Sequence, residues 1–379
     1  MSRVAIVHDN FAQMGGAERV TEVIHRTMPD ADLLTTLAAR EKLSPALQRT
    51  RIQTSWMQLL PKPGKYYRHY FLLYPFAIEG MDLSPYDLVI TSCFGYAKGV
   101  KKRKGAVHVC YCHNPMRWVW RYEDYVERDR FGRISRLALK PLLSALKQWD
   151  IKAAARPDFF IANSRVVAER IRMFYGREAV VIPPPIDTER FKASPVVEDY
   201  FLVLSRLVPY KRIDLAVEAC TRMGRRLVVI GDGPDRARLK AIAGDSVVFL
   251  GRQPDHIVNR YAGSCAALLF TGEEDFGMAP LEINSAGRPV IAYRGGGALE
   301  TVIDRQTGLF FEKPTIESLC GAMEEFNLQT WNPRRLREHA ERFSATAFAE
   351  RFAQFLRTYT GFDTGSQVHE GSRGREVRV

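Results

Sequence analysis

Three consecutive acids, Glu273, Glu274 and Asp275, precede Phe276-Gly277-Met278 and a further acid, Glu282. Carboxylates at that spacing accept hydrogen bonds from sugar or ribose hydroxyls, and backbone amides from Phe276 to Met278 supply the complementary donors. Upstream, Arg206 and Lys211 lie five residues apart. A planar guanidinium fork and a mobile ammonium suit a diphosphate. Gly295-Gly296-Gly297 before Glu300-Thr301, and Gly15-Gly16 before Ala17-Glu18-Arg19, are openings of the size of an anion at a helix start. His113 stands in Cys112-His113-Asn114-Pro115-Met116-Arg117. Taken singly, each has a bland reading: a glycine pair is a tight turn, a basic pair is solvated surface, a lone histidine is structural.

The elements that would position these residues are short β-branched runs alternating with longer amphipathic segments, the pattern of βα units and a mainly parallel sheet. Expected strands in the first half are Val4–His8, Asp87–Thr91, Val107–Tyr111, Phe159–Ala162 and Ala179–Ile182. In the second half they are Phe201–Ser205, Leu227–Ile230, Val247–Leu250, Ala266–Phe270 and Val290–Tyr293. Ligands of open α/β sheets bind at the carboxyl ends of strands, and most of the candidate residues follow a strand. The expected fold class is α/β with two facing Rossmann-like domains. Residues 1–185, ending in the stiff run Pro183-Pro184-Pro185, form the first, 186–199 with Pro195 a linker, and 200–345 the second. Phe348, Phe352 and Phe355 recur at helical spacing, so 346–360 is expected to be a terminal helix packing back on the first domain. The polar stretch 361–379 is expected to be disordered.

The 379 residues suffice for two cores. The six cysteines have no regular spacing, which points to reduced core thiols and to neither a disulfide framework nor a zinc site. No apolar run has bilayer-spanning length, and the first ten residues read as a strand rather than a secretory signal, so a cytoplasmic protein is expected. Lys and Arg exceed Asp and Glu by 12, and residues 1–190 hold 30 basic and 19 acidic side chains. Nearly all of the surplus therefore sits in the first half, which is expected to face a polyanion.

Glu274 to Glu282 resembles the E-x7-E motif of family 4 (GT4) of the retaining glycosyltransferases, and the likeness runs from Gly15-Gly16 to the helix after Ser344. The resemblance implies the GT-B fold and a nucleotide-sugar donor, with no resident cofactor and no metal. By the same resemblance, Arg206 and Lys211 bind the donor diphosphate and Glu274 contacts the transferred sugar near its anomeric centre. Phe276, Gly277 and Met278 offer their backbone to sugar and phosphate, and Glu282 holds the ribose. His113 lies in the cleft near donor sugar and acceptor, and Gly16 packs against the donor phosphates. His113, Glu274 and Lys211 are thus the catalytic candidates. The loop from Arg252 to Ile257 is expected to meet the base, although nothing in it distinguishes guanine from uracil. The phrases CHNPMRWVW, EEDFGMAPLE and RGGGALETV resemble bacterial mannosyltransferases of polysaccharide assembly. That implies transfer of α-mannose from GDP-mannose onto a glycan, such as a cellobiosyl unit, carried on polyprenyl diphosphate. One departure is Asp275, where many relatives have glycine.

The basic first half then acquires a surface to face. Lys98, Lys101, Lys102, Arg103 and Lys104 form a cluster, and Tyr66, Tyr67 and Arg68 lie in a stretch where basic and aromatic residues interleave. A basic helix is expected over Arg133–Lys152. Such residues sit at an anionic headgroup layer without spanning it, so peripheral binding to the inner leaflet is expected. A nucleic-acid partner is not, since no nucleic-acid-binding motif accompanies the charge. Rival readings are a UDP-sugar-dependent transferase, a sugar-nucleotide epimerase on the same fold, and a non-catalytic nucleotide-binding module.

Overall fold

The computed structural model describes residues 3–120 and 133–363. Within them, thirteen parallel strands form two sheets. The first contains β1 (Val4–His8), β2 (Asp32–Thr35), β3 (Ile52–Thr54), β4 (Leu88–Cys93), β5 (Val107–Cys112), β6 (Phe159–Ala162) and β7 (Ala179–Val181), in the order β3-β2-β1-β4-β5-β6-β7. The second contains β8 (Phe201–Leu204), β9 (Leu227–Ile230), β10 (Val247–Gly251), β11 (Ala267–Phe270), β12 (Val290–Tyr293) and β13 (Gly308–Phe311), in the order β10-β9-β8-β11-β12-β13. Each order reverses once, between β1 and β4 and between β8 and β11. Loops diverge at such a switch point and leave a crevice beyond the strands' carboxyl ends.

The central strands are nearly all apolar because helices cover both faces of each sheet. Ile6, Leu33, Ile90 and Val109 pack on one side of the first sheet, and Ala5, Val7, Val89 and Cys110 on the other. The expected strands are present with ends shifted by a residue or two. Three more, β2, β3 and β13, were not foreseen from sequence. They carry three or four residues each, too few for a period to register, and tertiary pairing makes them strands.

Two segments cross between the domains and lie side by side. After Pro183-Pro184-Pro185, the Ile186 amide donates to the Phe343 carbonyl at 2.8 Å. Ile186 joins Phe276, Leu281 and Ala340 in a small apolar cluster. The second crossing leads into the helix Ala345–Thr360. Ser344 caps it by accepting the Ala347 amide, and Gly361 stops it at φ 72°. Its Phe348, Phe352, Phe355 and Leu356 are buried with Ile6, Tyr111 and Ile161 of the first sheet and with Ile182 just after it. The terminal helix therefore packs back on the first domain.

The expected basic cluster needs one correction. Lys98 is only 1% exposed and cannot meet a membrane surface. Its ammonium pairs with the buried Asp150 and donates to the Gly95 carbonyl. Burial alone would pull the Lys98 pKa down, but the Asp150 carboxylate outweighs it and holds the pKa well above the usual value. Trp120 and Tyr175 also donate to Asp150, each at 2.7 Å. Lys101, Lys102 and Arg103 pair with Glu79, Asp158 and Asp87, which neutralises much of the cluster, while Lys104 is exposed.

The basic helix spans Arg133–Ala154, and side chains 133–140 lie outside the described residues. Leu146 is buried, while Leu142 is 41% exposed. The expectation for the tail lies outside the described residues from residue 364 on. Among the described residues, no helix is long and apolar enough to cross a membrane. The terminal helix should carry the first domain's stability: Phe352→Ala leaves a ring-sized hole, so chemical denaturation should show a loss of about 3–5 kcal/mol.

Candidate functional site in the interdomain cleft

The loops leaving β8 and β11 form one wall. Thr271 Oγ1 donates to the Lys211 carbonyl at 3.1 Å. A Cβ on Gly272 would stand 2.6 Å from Lys211 Cα, so only glycine permits this approach. On the other side, the Gly297 amide donates to the Glu274 carbonyl at 2.8 Å. The β11 loop is thus braced to the β8 loop through the Thr271 hydroxyl and to Gly297 through a backbone hydrogen bond, and the Lys211 ammonium pairs with the Glu274 carboxylate. Gly277, at φ 83°, turns the chain into the helix Met278–Ser285. Phe276 is buried against Phe343, and Glu282 lies on that helix with a side chain 14% exposed. Arg206 is exposed beside Tyr210, its guanidinium 3.5 Å from the phenol oxygen.

The first domain forms the opposite wall. Asp9 directly follows β1 and is fully buried. Its carboxylate accepts the amides of Phe94, Gly95, Tyr96 and Ala97 at 2.6–2.9 Å, which fixes the turn after β4. Desolvation pushes the Asp9 pKa up, and those amides oppose it. Beyond Asp9, the Gly15 amide donates to Glu18 Oε2 at 2.9 Å. Gly16 is exposed, and a Cβ there would lie 3.2 Å from the Met278 sulfur of the second domain. The two glycine-containing walls therefore come into near contact.

His113 follows β5. Its Nε2 is 2.8 Å from Ser92 Oγ, and its carbonyl accepts from Asn163 Nδ2 at 2.9 Å. Behind Ser92, Thr21 Oγ1 and His8 Nδ1 lie at 2.7 and 3.2 Å. Desolvation lowers the pKa of both His113 and His8 to about 3. His113 is accordingly a neutral imidazole at physiological pH, suited to hydrogen bonding rather than to charge.

Contacts between the walls are mostly ionic. Arg19 of the helix Gly16–Thr27 approaches Glu282 at 3.7 Å. Asp275 accepts from Asn114 Nδ2 at 3.0 Å and pairs with Arg117 and Arg170. Arg117 also stacks 5.1 Å from the Tyr210 ring centroid. Glu300 accepts the Arg165 amide at 2.8 Å, at the start of the helix Arg165–Tyr175. Sequence reasoning named neither Asp9, Ser92, Arg19, Arg117 nor Arg170 as site residues. Only Asp9, an acid immediately after a strand, carried a local signal.

The structure therefore brings Gly16, Lys211, Glu274, Phe276, Gly277, Met278 and Glu282 to one cleft with Arg206 at its edge. His113 joins them at the carboxyl end of β5. Arg252 follows β10 and is exposed. Tyr66, Tyr67 and Arg68 lie apart from these residues on the first domain. There Lys65 and Arg68 sit over the Tyr66 and Tyr67 rings, at 5.4 and 5.3 Å from their centroids.

Residues 14–190 match the family model described as Glycosyltransferase Family 4, and residues 186–348 the one described as Glycosyl transferases group 1. The chain thus matches two glycosyltransferase models over adjoining stretches, neither of which reaches half of its length. It is 31% identical over 192 residues to the GDP-mannose-dependent alpha-(1-6)-phosphatidylinositol monomannoside mannosyltransferase of Mycolicibacterium smegmatis, covering 42% of this chain and 50% of the relative. It is 30% identical over 209 residues to the D-inositol 3-phosphate glycosyltransferase of Acidothermus cellulolyticus, covering 46% of each. The chain spans about half the length of these curated relatives. Among solved structures, Anabaena HepE in complex with UDP-glucose superposes with a TM-score of 0.67 at 18% identity, over 94% of this chain and 99% of HepE. Sucrose-phosphate synthase from Thermosynechococcus elongatus gives 0.71 at 17% identity, over 94% and 99%. At these identities the likeness is one of fold: two parallel-sheet α/β domains in the GT-B arrangement.

Glu18 makes the stability of the cleft sensitive to pH. Desolvation raises its carboxyl from the usual 4.5 to about 7. The folded state binds this proton more tightly than the unfolded chain, so the stabilisation is complete below pH 4.5 and is lost as pH rises through 7. Glu18→Gln, which can still accept from Gly15, should lose less stability than the parent between pH 5 and 8. Melting temperatures across that range check it.

Proposed function

We propose that the protein is a retaining glycosyltransferase that moves α-mannose from GDP-mannose onto a glycan carried on polyprenyl diphosphate. The observation that carries this reading is the Lys211–Glu274 ion pair, braced by Gly272 and Gly297, on a wall that meets the Gly16 loop. A cation ready for a diphosphate and a carboxylate ready for a sugar hydroxyl stand side by side. The mannose donor is favoured by the GDP-mannose-dependent relative at 31% identity.

In this reading, Arg206 and Lys211 take the diphosphate, and Glu282 the ribose. The sugar–phosphate bond breaks while an acceptor hydroxyl attacks from the same face. Negative charge grows on the departing diphosphate, where fixed cations and backbone amides stabilise it at no cost of reorganisation. Positive charge grows at the anomeric carbon, close to Glu274. Neutral His113, held by Ser92, offers a hydrogen bond to donor or acceptor without repelling that charge. Closure of the cleft keeps water from intercepting the sugar.

Lys211→Ala should cost about 2–4 kcal/mol of transition-state stabilisation. Steady-state kinetics at saturating donor check this, and a variant with near-parental turnover would remove Lys211 from the mechanism. Thermal shifts with a panel of nucleoside diphosphates and nucleotide sugars test the donor. GDP-mannose should stabilise most; a larger shift with a UDP-sugar replaces mannose with that sugar.

The membrane face is proposed around residues 56–76 rather than around Lys98. Leu59 and Phe76 are 88% and 70% exposed there, next to exposed Lys62, Lys65 and Arg68. Each basic side chain near an anionic surface contributes about 1 kcal/mol. In vesicle flotation, the protein should rise with phosphatidylglycerol vesicles and stay down with phosphatidylcholine. Equal recovery with both refutes this face.

A further inference from the structure

Glu274 and Asp275 are neighbours in the chain, yet their carboxylates engage different domains. Glu274 pairs with Lys211 of its own domain, whereas Asp275 is taken up by Asn114, Arg117 and Arg170 of the other. Its side chain is 20% exposed, and those of Arg117 and Arg170 are 17% and 13% exposed, so the cluster is largely shielded from solvent. Charges held together in that shielding attract more strongly than surface pairs do.

The partners are well placed to transmit position. Asn114 directly follows His113, and Arg117 opens a short helix three residues later. Arg170 lies midway along the helix Arg165–Tyr175, whose first amide is held by Glu300 of the second domain. That helix is therefore gripped at two points by acids of the second domain, at its start and one and a half turns on. The Asp275 backbone is equally constrained, because Gly297 holds the neighbouring Glu274 carbonyl at 2.8 Å and Phe276 is buried.

We propose that Asp275 is a positioning residue: an interdomain latch that sets the separation between the Lys211–Glu274 wall and the His113 loop, and does not itself read the sugar. The acid that departs from the common glycine is thus assigned to domain closure. The latch stands on the cross-domain contacts alone, while its kinetic consequence rests on the proposed glycosyl transfer.

Two measurements separate these. Spin labels on cysteines at the exposed positions Leu59 and Leu328, one per domain, report the interdomain distance by double electron–electron resonance. The half-buried Cys320 is replaced by Ser in that background, the other five cysteines being buried. The parent should give one narrow distribution without donor. Asp275→Gly, Asp275→Asn and Arg170→Gln should broaden and lengthen it, and Asp275→Glu should fall between.

In the kinetic arm, Asp275→Asn should lower kcat about tenfold or more with donor KM within about threefold, since misplacing the reacting groups by an ångström costs up to ~100-fold. Asp275→Glu should recover part of that loss. A distribution for Asp275→Gly superimposable on the parent's overturns the latch. So does a variant whose donor KM rises while kcat holds, the mark of a direct sugar contact. Absence of turnover with any nucleotide sugar in the parent sinks the glycosyl-transfer reading and leaves the distance arm to decide the latch.

Discussion

A parallel sheet covered by helices on both faces has only its strand ends at which to gather polar groups, and here two carboxyl edges meet at one cleft. That constraint organises the rest of the molecule. Each edge opens at a switch point, β1/β4 in one domain and β8/β11 in the other, and the candidate residues leave the sheets beside them. The loops need rigidity without apolar filling, and backbone contacts supply it. Gly272 lets the β11 loop touch Lys211, Gly297 holds Glu274, and four amides close on Asp9. A side chain at Gly272 would separate the very loops whose contact aims Lys211 at Glu274.

The cleft is matched in charge against itself. Lys211 faces Glu274, Arg19 faces Glu282, and Arg117 and Arg170 face Asp275. In the proposed reaction the first two pairs loosen as the donor enters: the diphosphate competes for Lys211, and the ribose hydroxyls compete with Arg19 for Glu282. The third set, Asp275 with Arg117 and Arg170, involves groups with no donor role in the scheme and can persist through the cycle. Donor binding would thus rearrange charges in the cleft while the domains stay registered, and the solvent-shielded setting of Asp275 strengthens the pairing that persists.

Buried charge away from the cleft serves a related purpose. Lys98, within the Phe94–Val100 segment, ties that segment to the buried Asp150, and the segment's first amides bind Asp9. Removing either partner would strand the other in apolar surroundings. The pair fixes the segment that also carries Tyr96, and so supports the wall around His113 from beneath. Among the described residues, exposed Lys62, Lys65 and Arg68 keep company with exposed Leu59 and Phe76. Lys101, Lys102 and Arg103 already have acidic partners.

The sequence by itself determined the number of domains, the order of the central strands along the chain, the terminal helix and the acids and cations of the second domain. These rest on local patterns: β-branched runs, helical spacing of Phe348, Phe352 and Phe355, and motif residues within a few positions of one another. Only the tertiary structure decided the pairings across the chain. Asp275 meets Arg170 over a separation of 105 residues, Asp9 meets the Phe94 turn over 85, and Lys98 meets Asp150 inside a core rather than at a surface. A run of basic residues reads alike whether its members face water or a buried carboxylate. The difference lies in desolvation and in the partner that compensates for it, and both are properties of the packed chain.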